Sequence, residues 1–198
     1  IGKGGHGAVP QEAIDPIVIT CQIVNSLQTI VSRKINPLDP VVITCGRIQG
    51  GDCHNVIPNE VELEGTIRTF NEETRNWVPK VMEDLIRGIT TSQGAAYEFK
   101  YEPKYPALIN DKYMTSFAKE SLKKVVGEEN VFDLKEPNMG GEDFAYFAQK
   151  VPSAFIFVGI ANNKIEPVIH HNPYFKWDSK NVGILAQSLS QIAIDYLK

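Results

Sequence analysis

From Glu60 to Phe70 the side chains alternate in kind. Val61, Leu63, Gly65, Ile67 and Thr69 take one face, and Glu60, Glu62, Glu64, Thr66 and Arg68 take the other. Successive side chains of a strand point to opposite faces, so this pattern predicts a strand with one buried and one polar side. Everything before it must then supply a layer to cover the buried side. Asp15-Pro16 reads as the cap and first position of a helix whose apolar face is Ile17, Cys21, Val24, Leu27 and Val31, running to about Arg33. Asn36 to Pro40 stops it, and Val41 to Ile48 reads as a β-branched strand ended by Gly50-Gly51. Asn71-Glu72-Glu73 opens a second helix with Trp77, Val81, Leu85 and Ile89 as its apolar positions, and Tyr97 to Tyr105 reads as another strand.

Residues 1–107 therefore read as an α+β domain, an antiparallel sheet with two helices on one face in a ferredoxin-like arrangement. The sheet lacks a partner before its first helix, and the Gly-rich opening Ile1-Gly2-Lys3-Gly4-Gly5 reads as an internal turn, so a further strand is expected before residue 1. The pattern changes after Leu108-Ile109-Asn110, and residues 108–198 read as part of an α/β domain. Tyr113 to Val126 is helical, Val131-Phe132 a short strand, and Gly140-Gly141-Glu142-Asp143 the start of a short helix. The continuous apolar run Ala154 to Val158, within Ser153 to Gly159, suits a strand covered on both faces. A final helix spans Ser179 to Leu197, with Val182, Leu185, Leu189, Ile192 and Tyr196 at helical spacing.

The net charge of −4 with both signs interspersed gives no footprint for nucleic acid or an anionic membrane. No apolar run approaches the ~20 residues that span a bilayer, and residues 1–6 have neither the basic nor the apolar region of a signal peptide. Cys21, Cys45 and Cys53 are odd in number and lack CxxC spacing, which suits reduced, buried thiols in a cytoplasmic protein.

Four stretches carry polar chemistry. His170-His171 lies in a loop after the buried run, where imidazoles serve either as metal ligands or as surface residues; spacing alone leaves both open. Gly140-Gly141-Glu142-Asp143-Phe144 offers the amides of a helix start, suited to an anion or simply to a cap. His6 sits among Gly2, Gly4, Gly5 and Gly7, a backbone with room for close approach or a plain turn. Arg68, on the polar side of the alternating strand, is suited to a bidentate clamp on a carboxylate or to a neighbouring Glu.

In order along the chain these stretches resemble one family. Gly2–Pro10 with Asp15-Pro16, Leu27–Arg33, Gly50-Gly51, Asn55-Val56-Ile57-Pro58, Gly65–Phe70, Gly141-Glu142-Asp143-Phe144 and His171–Phe175 are similar to the dinuclear-zinc aminoacylase and carboxypeptidase family, in its hippurate hydrolase and indole-acetyl-amino-acid hydrolase branch. The resemblance implies a catalytic α/β metallohydrolase domain with an inserted α+β lid that forms a homodimer. Residues 1–107 would be the lid and residues 108–198 the C-terminal part of the catalytic domain.

It further implies hydrolysis of N-acyl amino acids by attack of a metal-activated water, with two divalent ions. Zinc is foremost among these, and manganese, cobalt and nickel are alternatives. His171 would be a metal ligand, with His170 one position away as the competing choice. His6 would be the lid histidine that polarises the scissile carbonyl. Asn55 and Arg68 would contact substrate, and Gly140, Gly141 and Glu142 would line its pocket. The family's Cys-x-His, Glu-Glu pair and further His have no counterpart in this sequence, because Cys53-His54 lacks the spacer. One His with one Glu falls short of the four ligands zinc takes, so the chain by itself is expected to be inactive. A reading from another class is a non-catalytic small-molecule-binding or dimerisation module.

Overall fold

The computed structural model describes residues 1–160, 168 and 171–198. Its contacts divide the chain into two units, Ile1–Ala107 with Met139–Gly141, and Leu108–Asn138 with Glu142–Lys198.

In the first unit β1 (Gly5–His6) is followed by α1 (Pro16–Arg33), β2 (Val41–Gln49), β3 (Val56–Ile57), β4 (Glu62–Thr69) and α2 (Glu72–Ser92). Local chemistry sets the helix starts. The Asp15 carboxylate accepts the Ile17 amide at 2.9 Å, with Pro16 in the first position where no amide is needed. The Asn71 side chain accepts the Glu73 amide at 2.8 Å, and Glu72 and Glu73 add favourable charge to that first turn.

β2 and β4 pair antiparallel with Val41 opposite Thr69 and Ile43 opposite Ile67. The ladder shifts between Cys45 and Arg47, and Gly46 is the bulged residue. Both helices cover one face of this pair: Ile19, Ile23, Leu27 and Ile30 of α1 meet Val41, Ile43 and Val78 in a single core. Each such fully buried aliphatic side chain stabilises by roughly 1.5–3 kcal/mol.

Several expectations are corrected here. The buried stripe of α1 shares only Leu27 with the one read from the sequence, and Ile17 and Cys21 lie on the exposed side. Nearly every turn of α1 carries apolar residues on two sides, so helical spacing fits two stripes, and the sheet selects the one that carries three isoleucines. In α2 the fully buried residue is Val78 rather than Trp77, while Val81, Leu85 and Ile89 pack against the core edge.

Tyr97–Tyr105 forms no strand, although burial alternates from Tyr97 to Glu102. A strand needs a ladder, and the described sheets are two-stranded, β1 with β3 and β2 with β4, short of a ferredoxin-like sheet. The amide and carbonyl of Ala96 bond instead to Ile1, at 2.9 Å each. All three cysteines are free, but Cys21 and Cys53 are exposed. Only Cys45 is partly buried, and that burial raises its thiol pKa.

The second unit holds α3 (Lys112–Val126), α4 (Ala145–Ala148) and α5 (Asn181–Tyr196). Asp111 caps α3 by accepting the Met114 amide at 2.8 Å. α3 lies against α5 through buried Ser121 and Ser188, small side chains that let the helices approach, and through Phe117 edge-on to Tyr196 at 5.8 Å. Asp195 completes the contact. The Lys124 ammonium donates to it at 2.9 Å and Gln191 at 3.0 Å, and hydrogen bonds from Lys124, Ser121 and Gln191 hold its carboxyl down at about 2.

Neither Val131-Phe132 nor Ser153–Gly159 forms a strand. The second segment is tied to residues 110 and 111 instead, with Asn110 bonding both the amide and the carbonyl of Phe155 at 2.8 and 2.9 Å. Phe157, expected to be covered, is 64% exposed, and Val182, Leu185 and Leu189 of the expected apolar stripe of α5 are exposed as well. No helix of the described residues is long and apolar enough to cross a membrane.

Candidate functional site

His6 and Asn55 are brought together by a two-residue ladder. His6 pairs with Val56 and Gly5 with Ile57, and the Gly7 amide donates to the Asn55 carbonyl at 2.9 Å. Glycine is required for this approach. A Cβ at Gly4 would stand 2.8 Å from the Ile57 oxygen, and one at Gly7 would stand 2.9 Å from the Asn55 oxygen.

The His6 ring is exposed, and its Nδ1 accepts the Ala8 amide at 3.0 Å within a turn closed by the Val9 amide on the His6 carbonyl. A neutral imidazole has one donor and one acceptor nitrogen. With Nδ1 accepting, Nε2 carries the hydrogen, so His6 is set up to donate a hydrogen bond. Asn55 is also exposed, and a cavity of about 420 Å³ runs along residues 50–58 with Gly7 and Asn55 in its wall.

Arg68 lies opposite Val42 on the polar side of β4. A pairing with a neighbouring glutamate was open from the sequence, but Glu62 and Glu64 are both engaged by Arg47, at 3.0 and 2.9 Å. Arg68 has no ion-pair partner among the described residues, and its Nη1 donates to the Met139 carbonyl at 2.9 Å. Gly141 belongs to the same cluster, since a Cβ there would lie 3.5 Å from that nitrogen and 3.3 Å from Tyr105 Cδ2. The structure thus joins Arg68 to Met139–Gly141, residues far away in sequence. Met139 and Tyr105 were not singled out from the sequence, and no spacing signal connects them to Arg68.

Glu142 plays a local part, with Oε1 accepting the Phe144 amide at 3.4 Å and its carbonyl accepting the Ala145 amide at 3.2 Å. The helix expected at Gly140–Asp143 begins only at Ala145 and has four residues, too short to act as an anion site. His171 is exposed and is the one non-glycine residue at positive φ, 67°, among the described residues. The turn after it is closed by Asn172, whose side chain accepts the Tyr174 amide at 2.9 Å. His170 lies outside the described residues.

Among the described residues no three His, Cys, Asp or Glu side chains gather to hold a metal ion. The donors described here do not fit a complete metal site, and His171 contributes at most one of the four ligands zinc takes.

The first unit thus presents an exposed imidazole whose Nδ1 is occupied and, among the described residues, an arginine with no ion-pair partner. The sequence matches peptidase family M20/M25/M40 over residues 5–194, and the chain belongs to that family.

It is 38% identical over 197 residues to the N-acetylcysteine deacetylase of Bacillus subtilis, covering 100% of this chain and 50% of the relative. It is 36% identical over 201 residues to the IAA-amino acid hydrolase ILR1-like 4 of Arabidopsis thaliana, covering 99% and 46%. Among solved structures, the YXEP protein of Bacillus subtilis, described as a dinuclear metal binding peptidase, matches with a TM-score of 0.69 at 30% identity, covering 99% of this chain and 49% of that one. The chain spans about half the length of these relatives.

Proposed function

We propose that the protein carrying this chain hydrolyses the amide bond of N-acyl amino acids. The observation that carries this reading is the state of His6. Its Nδ1 is already occupied by the Ala8 amide, so Nε2 is left as a donor suited to the oxygen of a scissile carbonyl, where negative charge develops during attack. Asn55 orients the acyl amide, and Arg68 receives the carboxylate of the amino-acid half. Gly140, Gly141 and Glu142 line the substrate pocket. Relatives named for deacetylation and for hydrolysis of amino-acid conjugates support the substrate class.

A divalent ion, zinc foremost, belongs to the same proposal, with His171 as one ligand; it supplies Lewis acidity and an activated water. Residues 1–107 serve as a lid and pair two copies, and the free thiols suit the cytoplasm. A non-catalytic binding module is the competing reading, and no specific observation favours it.

The test is hydrolysis of acetyl-, benzoyl- and indole-acetyl-amino acids by the complete protein, before and after chelation, with metal content measured alongside. Turnover abolished by chelator and restored by zinc is expected; absence of turnover on all three classes would overturn the proposal. His171→Ala should lower metal content further than His170→Ala does. Mixing His6→Ala with a metal-site variant should regain activity if His6 serves the partner's site.

A further inference from the structure

We infer that Gly141 and the Met139 carbonyl are specificity-determining positions: together they fix the Arg68 guanidinium so that its remaining donors face a substrate carboxylate. This rests on the amidohydrolase reading and names how that site recognises the free carboxylate of its substrate.

A guanidinium has five N–H donors in a rigid fork. One Nη1 donor is committed to the Met139 carbonyl at 2.9 Å, which removes the freedom of the long side chain to swing. Among the described residues no carboxylate pairs with the guanidinium, and the glutamates on the same face of β4 are held by Arg47. Preorganisation of this kind raises affinity by sparing the entropy of ordering at the moment of binding.

Gly141 is what allows the arrangement. Its φ lies outside the left-handed region, so backbone conformation does not demand glycine there. Space does. Its Cα faces a gap between Arg68 Nη1 and Tyr105 Cδ2, and a Cβ would meet them at 3.5 and 3.3 Å. A methyl group fits with a small give, whereas the two γ carbons of valine would push the guanidinium off its carbonyl anchor. Gly141 and Met139 act through Arg68 and are positioning residues.

The experiment compares an N-acyl amino acid with its C-terminal amide, as the ratio of kcat/KM on the complete, metal-loaded protein. Wild type should prefer the acid by about tenfold or more, as expected for charge-assisted hydrogen bonds to a carboxylate. Gly141→Val should erase most of that preference, chiefly by raising KM for the acid, and Gly141→Ala should keep the larger part of it. A merely structural defect would lower both substrates together and leave the ratio standing; that result for Gly141→Val would overturn the inference. Should the valine variant fail to fold, an undiminished ratio in Arg68→Lys, which lacks the fork that holds the Met139 carbonyl and a carboxylate together, would overturn it equally. Wild type that hydrolyses neither compound would overturn the amidohydrolase reading instead.

Discussion

Replacing Gly65 by alanine tests whether the β2–β4 ladder supports the site. Gly65 faces Cys45 across the ladder, and an added Cβ would stand 2.2 Å from the Thr44 carbonyl oxygen, about 0.8 Å inside the 3.0 Å that real contacts respect. The obstacle is backbone, so no side chain can rotate away, and the two strands must separate locally. Separation on that scale weakens two ladder bonds at ~0.5–1.5 kcal/mol each, giving a destabilisation of about 1–3 kcal/mol. For a chain of this size that corresponds to roughly 2–4 °C in Tm per kcal/mol.

Arg68 stands three residues further along β4, so KM for a carboxylate substrate should rise in the same variant. Gly88 is the control. It lies inside α2 with nothing within 4 Å of its Cβ position, so Gly88→Ala should stabilise by ~0.5–1 kcal/mol. Thermal unfolding by circular dichroism, read beside KM, measures both. An unchanged Tm for Gly65→Ala would show that the strands are not packed as described.

Ile30→Ala removes a side chain with 0% exposure from the centre of the first core and should cost about 2–5 kcal/mol in denaturant unfolding; a loss below 1 would place that residue at an edge. Asp15→Ala deletes the α1 cap and should cost ~1 kcal/mol, with Asp15→Asn recovering most of it. Asp195 has its folded pKa depressed from 3.8 to about 2, so its stabilising contribution is present above pH 4 and is lost as pH falls through 2. The stability difference between wild type and Asp195→Asn should therefore shrink across that window, and a difference independent of pH would refute the Lys124–Asp195 contact as its source.

What could be read from the sequence was what depends on near neighbours. The alternation of Val61 to Thr69 marked one strand and, in Leu63 and Ile67, the residues it turns to the core, although Gly65 on that face is exposed. Asp15-Pro16 and Asn71 marked helix starts, because caps and pleats are set within a few residues. What escaped depends on partners elsewhere. Tyr97–Tyr105 and the run ending at Val158 have strand composition, yet a strand exists only where another supplies its ladder, and none of the described residues does so.

The stripe of α1 was misread because Ile17 and Cys21 sit at the same spacing as Ile19 and Ile23, and only the sheet decides between them. The site divides in the same way. Gly4 and Gly7 beside His6 left close approach and a plain turn both open, and the approach of the Asn55 backbone could be read only from the structure. The tether of Arg68 to Met139, across 71 residues, leaves no trace in spacing, and neither does the commitment of His6 Nδ1 to Ala8.

The measurement that bears most directly on the whole account is the turnover of His6→Ala in the complete protein, with bound metal quantified in the same samples. Loss of one donor to the developing oxyanion predicts a fall in kcat of about 10²–10³ on an N-acetyl amino acid, with metal content equal to wild type. A kcat within a few-fold of wild type, or a loss of metal that parallels the loss of activity, would contradict the role assigned to this imidazole.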